Sequence, residues 1–595
     1  VRRSHYIKAN KSSEYPRHAI WFDTETTPEQ IDPHTIKHHL KFGWLCYRRR
    51  ARGHRWSKPI WQRFTSIIEF WEIIDSYVNA KESLTLFAHN GSFDLPVLDA
   101  FNYLQDNDWV LTNAVIESPP IILKWRKHNR TIRFIDTLNI WRMSLKELGK
   151  SIGLAKLTMP DSWADDDQGD EYCKRDVEII MNACLLWFEF LNEHDLGGFA
   201  PTLASQAMRA YTHRFMKHQI LIDDDELALS MARESYHGGR TECFYIGQAE
   251  GPLYQVDVNS MYPAVMSECM MPTRLRGVYR RVSMTEIRKL LLSMCCIARV
   301  RIITDTPVYP QYTRGKLLFP VGEFDTTLTT PELKYAIDNK HVVSIDEVAL
   351  YEQATIFKEY VDYFYNMRLK YKSAGDKTSS GLVKILLNSL YGKFGQRGRV
   401  FETIDNVDSH EIKVWTEYDV DTQTKTHNRQ FAGMVQQQTD ETESRDSHPA
   451  IASHVTAHAR MRMWSVYQTA GLENCYYTDT DCVVVNAIGY ERLTDMLDET
   501  RLGLLKLERT INRVVIYGPK DYQFDDDVVI KGVKHDARWL KHNRVEQEQW
   551  SGLKGLIAKG DLTAPTTKTI IKNLKREYTK GIVQPDGFVL PYKFG

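Results

Sequence analysis

Apolar and polar positions follow three different rhythms along the chain. In the first part, "HAIWFDTET" (18–26) and "LTLFAHN" (84–90) are short β-rich runs that predict strands. "DEYCKRDVEIIMNACLLWFEFL" (170–191) carries apolar residues at helical spacing and predicts one long helix. A second α/β region begins near residue 200, with strands predicted at "LYQVDVNSMY" (253–262) and "MCCIARVRII" (294–303). Around 355–395 the rhythm turns helical: "IFKEYVDYFYNMRLKYK", a polar turn "SAGDKTSSG", then "LVKILLNSLYGKFG", which predicts an αα-hairpin. Residues 399–447 are polar and poor in aliphatics. Their composition suits a disordered loop, but strand-like pieces such as "IKVWTEYDV" favour a protruding β-element. "YYTDTDCVVV" (476–485) reads as a β-hairpin with two carboxylates, Asp479 and Asp481, at its tip. Alternation along a strand puts both on one face, where they can meet one hard cation. No internal repeats occur.

Composition narrows the class. The chain has 595 residues, 43% of them hydrophobic and 26% charged, which implies several domains with more than one core. No apolar run is long enough to span a membrane, and "VRRSHYIKAN" lacks a signal-peptide pattern; the Val start is read as a missing natural start. Nine cysteines without a CxxC pair argue against structural zinc and a disulfide framework, and the adjacent Cys295 and Cys296 read as core. A reducing, intracellular, cytoplasmic location is therefore expected. The net charge is zero, so partners must be judged from the distribution. Basic clusters lie at 47–58, 367–372 and 569–581, acidic ones at 163–171 and 525–527. Each alone is a solvated face; together they permit a basic channel beside acidic metal sites.

The N-terminal part holds four acids on separate elements. Asp23 and Glu25 in "WFDTETT" exit one face of a strand, Asn90 and Asp94 in "FAHNGSFD" sit at the tip of another, and Tyr172 and Asp176 share one face of the long helix. Such a set can bring two divalent cations together to activate a water against a phosphodiester, with Tyr172 orienting the water. Singly, each piece reads as an edge, a turn or a surface charge. Jointly, in this order, they match the DEDD-type 3′–5′ exonuclease pattern.

A second set surrounds the hairpin. "YQVDVNSMYPAVM" offers Asp257 at a strand end, then a Ser-x-Tyr-Pro turn whose backbone suits a triphosphate, with Tyr262 under the sugar. Asp257 and Asp479 can grip two Mg²⁺ ions for attack of a primer 3′-oxygen on an α-phosphate, with Asp481 in support. Lys384, Asn388 and Tyr391 share one face of a helix whose bland reading is an amphipathic core helix. Lys384 suits developing phosphate charge and Tyr391 suits stacking on a base pair. Arg368 and Lys372 suit the β- and γ-phosphates. Lys520 and Tyr522 in "GPKDYQF" are expected to face one way on a strand and hold the primer end.

"DVNSMYP", "KILLNSLYG", "YTDTD" and "KDY" resemble motifs A, B, C and KxY of family B DNA polymerases, and "DTE", "HNGSFD" and "YCKRD" resemble Exo I, II and III. The seven motifs stand in the family's order over most of the chain. "SYHGGR" (235–240) and "DTLNIW" (136–141) resemble the YxGG and (S/T)Lx2h elements of the compact, protein-primed branch of linear-genome phages, viruses and plasmids. That resemblance implies Thr137 and Leu138 as ligands of a frayed primer end, Lys156 as the exonuclease-site lysine, and Val258 beside Asp257 and Asp479 among the metal ligands. It also implies DNA contacts at Asn90, Phe93, Tyr236, Gly238, Gly239, Ser260 and Gly392. Motif C continues with Cys482 where Ser is common.

The implied fold is α/β multidomain: an RNase H-like exonuclease domain (1–195) and a right-hand polymerase. The latter comprises palm (196–263), palm with a first terminal-protein-region-like insertion (264–354), fingers (355–398), a second insertion (399–447), the catalytic hairpin of the palm (448–530) and a basic thumb (531–595). The implied activity is protein-primed DNA-directed DNA synthesis with proofreading and strand displacement. It uses Mg²⁺, two ions per site, with Mn²⁺ as substitute. The implied partners are template-primer DNA, dNTPs and a terminal protein, for a monomer without membrane contact. The rivals are a DNA-primed repair or self-priming polymerase of the same family, and a DEDD nuclease whose second half is a DNA-binding scaffold. A reverse transcriptase is disfavoured by the motif B residues.

Overall fold

A computed structural model describes residues 2–51, 55–160, 166–398, 401–421, 423–438 and 443–595. The clusters at 47–58 and 163–171 and the polar segment 399–447 lie partly outside these residues.

The N-terminal sheet has ten strands. At its centre His18–Asp32 runs parallel to Leu84–Ala88, which runs parallel to Arg130–Asp136. Thr35–Arg49 pairs antiparallel on the outer side of the first. The run "HAIWF" is apolar without alternation because this strand is covered on both faces. Trp21 packs with Val177, Ile180 and Trp187 of the helix Asp166–Glu193. Ile20 and Phe22 face the opposite core with Phe70, Trp71 and Leu95.

A seven-stranded antiparallel sheet forms the second unit, ordered Thr241–Cys243, Cys475–Asp479, Cys482–Asn486, Gly247–Val258, Leu505–Gly518, Asp521–Phe524 and Asp527–Ile530. The helix Pro449–Ala470 backs it, with Trp464 and Tyr467 against Val256, Val483 and Val485. A five-stranded sheet follows, containing the buried Cys295 and Cys296; all nine cysteines are free.

The helix pair appears as expected, Lys358–Ser373 and Lys377–Phe394. The polar run between them is mostly helix rather than turn. Asp376 accepts a hydrogen bond from the Ser379 N–H and starts the second helix there. "NSMYP" is a turn only at Asn259 and Ser260 and not strand: Met261–Glu268 is helical, entered through Ser260 at φ 52°. Pro263 in the first turn costs no hydrogen bond there.

Within 399–447 the described residues form a four-stranded sheet. It docks on the N-terminal unit, with Phe431 and Met434 in one core with Phe101 and Leu553. The segment 531–595 forms only a two-stranded sheet of its own, Ile582–Val583 with Val589–Leu590. Its strand Thr566–Asn573 pairs with Thr35–Arg49 and extends the N-terminal sheet, while Lys593–Phe594 pairs with Val321–Thr329 in the five-stranded one.

Candidate active sites

The N-terminal site gathers at the end of the parallel strands. Asp23 and Glu25 leave the strand His18–Asp32, and Thr24 between them donates to Asp94 Oδ1 at 2.7 Å. Asp94 is in the helix Gly91–Val97 rather than at a strand tip. That helix is anchored by Asp136, which accepts N–H bonds from Asn90 at 3.1 Å and from Gly91 at 2.9 Å. Only glycine fits at 91, since a Cβ there would stand 2.1 Å from the Phe134 ring. Asp176 completes the set from the helix Asp166–Glu193, where Lys156 pairs with its Oδ2 and lies 4.5 Å over the Tyr172 ring.

Burial and mutual repulsion dominate here. Burial, then the charges of Asp176, Asp94 and Glu25, pushes Asp23 well above the carboxylate range. Burial and Asp176 raise Glu25 to about 8, and burial raises Asp94 to about 7. Burial works against the charge of Lys156, but Asp176, Tyr172 and Asp23 raise its pKa. Asp176 is 3% exposed, and its Oδ1 is buried without a hydrogen-bond partner. Clustered hard oxygens with one of them unpartnered fit divalent cations.

The second site opens on a cleft of ≈ 690 Å³ lined by Asp257, Asp479, Asp481, Cys482, Lys520 and Tyr522, among others. Asp257 sits opposite Cys482 on one side and Lys506 on the other. The two hairpin carboxylates converge through a tight turn, not through strand alternation. Asp479 ends its strand, Thr480 takes φ 64°, and the Asp481 N–H donates back to Asp479 O at 2.8 Å. Two further backbone bonds tie this turn down: Val258 N–H to Asp481 O, and Thr480 N–H to Arg240 O, both 2.8 Å. Thr241 Oγ1 donates to Asp479 Oδ1 at 3.0 Å. Lys506 Nζ stands 3.3 Å from Asp257, and Lys520 Nζ 3.3 Å from Asp479. Burial and then the Asp257 charge raise Asp481 to about 6. Asp257 is raised by burial against the opposing pull of Lys506. This acidic set, opening to solvent, also fits divalent cations.

The remaining predicted residues distribute around these centres. Arg368 donates to Ser260 Oγ at 3.0 Å, joining the helix pair to the Asp257 strand; Lys372, Lys384, Asn388 and Gly392 are exposed. Tyr391 stacks on Tyr262, with ring centroids 4.5 Å apart, and so already has a ring partner in this state. Lys520 lies in a turn at φ 58° rather than on a strand, although it and Tyr522 line the same cleft. Gly239 packs on Thr480, where a Cβ would be 2.8 Å from Cγ2, and Tyr236 packs on Gly395. Thr137 is buried with its hydroxyl on Ala88 O and His89 Nδ1, so no free hydroxyl faces outward; Leu138 is half-buried. Phe93 meets His38 and Trp550 edge-on, and Asn90 Oδ1 accepts from Ser92.

Sequence reading missed Asp136, Lys506 and the buried pair Arg460–Glu332. Arg460 also holds the His237 and Gly238 carbonyls at 2.7 and 3.0 Å. Asp136 had a signal, an acid ending an apolar strand like Asp257. Arg460, one of several polar residues on its helix with Arg462 two positions on, had none.

Comparison with known proteins places the chain. Residues 161–469 match the family "DNA polymerase type B, organellar and viral". A "Probable DNA polymerase" of Neurospora intermedia is 26% identical over 337 residues, covering 54% of this chain and 34% of that protein. The chain thus spans about a third of the length of this relative. The "DNA-directed DNA polymerase" of Enterobacteria phage PRD1 is 23% identical over 530 residues, covering 87% and 84% of the two chains. In fold, the chain resembles Phi29 DNA polymerase complexed with primer-template DNA, with TM-score 0.66 and 18% identity over 94% of this chain and 100% of that one. The mixed α/β multidomain fold is therefore shared with a DNA polymerase along nearly the whole chain, and the chain belongs to the type B DNA polymerases of the organellar and viral kind.

Proposed function

We propose that this chain copies DNA from a DNA template, proofreads the 3′ end it makes, and begins synthesis on the hydroxyl of a terminal protein. The observation that carries the reading is the pair of separate carboxylate centres, one enclosed and one open, on a chain of this family. Mg²⁺ bound at each centre would lower the charge barrier to phosphoryl transfer and supply the activated oxygen.

The protein's own residues do the rest. In the open centre Asp257 and Asp479, with Asp481 beside them, hold the cations, and Lys520 and Tyr522 hold the primer end. Arg368, Lys372 and Lys384 spread over the triphosphate, and the Tyr262–Tyr391 stack forms the floor under sugar and base. In the enclosed centre Asp23, Glu25, Asp94 and Asp176 are the cation ligands, and Lys156 fixes Asp176 and the Tyr172 ring. A matched end stacks and stays in the open cleft; a frayed end reaches the enclosed site as a single strand. Thr137, its hydroxyl bonded to His89 and Ala88, holds the loop that presents Leu138 to the frayed end. The sheet within 401–438, docked on the N-terminal unit, supports a role in holding template and product.

The test is extension on a singly primed circle with Mg²⁺ and dNTPs, without clamp or helicase. Products longer than the circle are expected, and removal of 401–438 should shorten them to one circle or less while short gaps are still filled. Products that stop at one circle with the intact protein would move the reading to a gap-filling enzyme. Protein priming is tested separately, by transfer of the first nucleotide to a terminal protein supplied in trans. Absence of that adduct with every candidate protein encoded beside the chain would leave a DNA-primed polymerase.

A further inference from the structure

The enclosed centre contains a donor that hard-metal chemistry does not use. Cys173 precedes Asp176 by three residues, so the two share a helix face. It is fully buried, with Sγ 3.6 Å from the Asp23 carbonyl oxygen and 3.9 Å from Asp23 Oδ2. One donor atom from each of Asp23, Glu25 and Cys173 lies within 4.8 Å of the others. Asp176 stands outside that trio, but its charge acts on Asp23 and its Oδ1 is buried and unpartnered.

We propose that this centre is also a site for borderline and soft divalent cations such as Zn²⁺, Co²⁺ and Cd²⁺, held by Asp23, Glu25 and Cys173 with Asp176 as fourth donor, and that such an ion shuts off proofreading. The inference rests on the exonuclease reading of the same carboxylates. A tetrahedral zinc with S at about 2.3 Å and O at about 2.1 Å sets its sulfur and oxygen ligands roughly 3.6 Å apart. The observed 3.9 Å separation of Cys173 Sγ and Asp23 Oδ2 requires a shift of only a few tenths of an ångström. Mg²⁺ takes oxygen ligands in octahedral geometry and leaves the thiol as it stands, donating to the Asp23 carbonyl. A soft cation instead forms a metal–sulfur bond as the thiol proton leaves to solvent, with no change of oxidation state. Drawing Asp176 Oδ1 in as the fourth protein donor closes the coordination shell, and a closed site offers no position to water or DNA.

The test titrates the full chain, free of Mg²⁺, with Co²⁺ and follows the sulfur-to-cobalt charge-transfer absorption. The Cys482→Ser variant controls for the thiol lining the other cleft. The band is expected in the unaltered protein and in Cys482→Ser, is lost in Cys173→Ser, and is bleached by Zn²⁺. In parallel, Zn²⁺ should inhibit Mg²⁺-supported degradation of a single-stranded oligonucleotide roughly tenfold more weakly in Cys173→Ser, each protein being compared with its own activity. Should Cys173→Ser not fold, zinc-edge absorption of the unaltered protein decides, with one sulfur at about 2.3 Å expected. A band that survives Cys173→Ser, zinc bound without sulfur, or robust Mg²⁺ degradation with no band at all overturns the proposal. A Cys173-dependent band without any degradation in Mg²⁺ would keep the metal site and discard the exonuclease reading.

Discussion

In the enclosed centre four carboxylates press against one another, with Lys156 on Asp176. In the open centre Asp257 and Asp479 each face a lysine of their own across solvent. The first therefore carries strongly raised acids, Glu25 near 8 and Asp94 near 7, while the open centre's Asp481 reaches only about 6. The difference teaches that the same side chain serves two access problems. In the proposed reading, burial narrows the approach to a thin strand and gives bound cations a charge to neutralise, while an open cleft admits a duplex and leaves charge balance to the lysines.

The comparison breaks most sharply if the two activities cannot be separated. Asp479→Ala should lower nucleotide incorporation about 10³-fold or more, several kcal/mol of lost charge stabilisation, while 3′ degradation of single strands persists. Incorporation surviving at near-normal rate would remove the polymerase assignment. Asp23→Ala should do the converse, cutting degradation about 10³-fold with extension of matched primers retained. Gel assays on one labelled oligonucleotide, with and without template, read both.

The lysines sharpen the contrast at a smaller scale. Lys156→Ala should reduce degradation by roughly 10- to 100-fold, since it leaves a buried Asp176 unpaired. Lys520→Ala, whose partner is solvated, should cost less and mainly raise the apparent KM for primer-template, an effect that grows with salt.

The smallest effect concerns stability. Glu25 is raised from 4.5 to about 8, so its neutral form favours the folded state: that contribution is complete below the unfolded value and lost as pH climbs through the folded one. Glu25→Gln should therefore raise the melting temperature of the metal-free protein by about 1–3 °C at pH 8 and by nothing near pH 4. Added Mg²⁺ should stabilise the unaltered protein more at pH 8 than at pH 6, because protons compete with the cation. Equal shifts at both pH values would mean that the four acids do not share one site.

The chain's own order of residues determined the elements that carry the acids. "HAIWFDTET" had to be a strand because its apolar run is covered on both faces, and the long helix had to present Tyr172 and Asp176 together because they lie four apart. It also identified the acids themselves, since DxE, a distant acid and a helical YxxxD keep their chemistry wherever they are placed. Tertiary structure alone decided how they meet. Asp479 and Asp481 converge because Thr480 adopts a left-handed turn pinned by Arg240, a residue far away in sequence. Lys520 reaches Asp479 from a turn, not from the strand that spacing suggested. Thr137 is sealed by His89 and Ala88, and the segment 531–595 extends the first sheet through Thr566–Asn573. Local periodicity encodes which face a side chain occupies, but strand partners and turn anchors come from residues hundreds of positions apart, and no local rhythm records them.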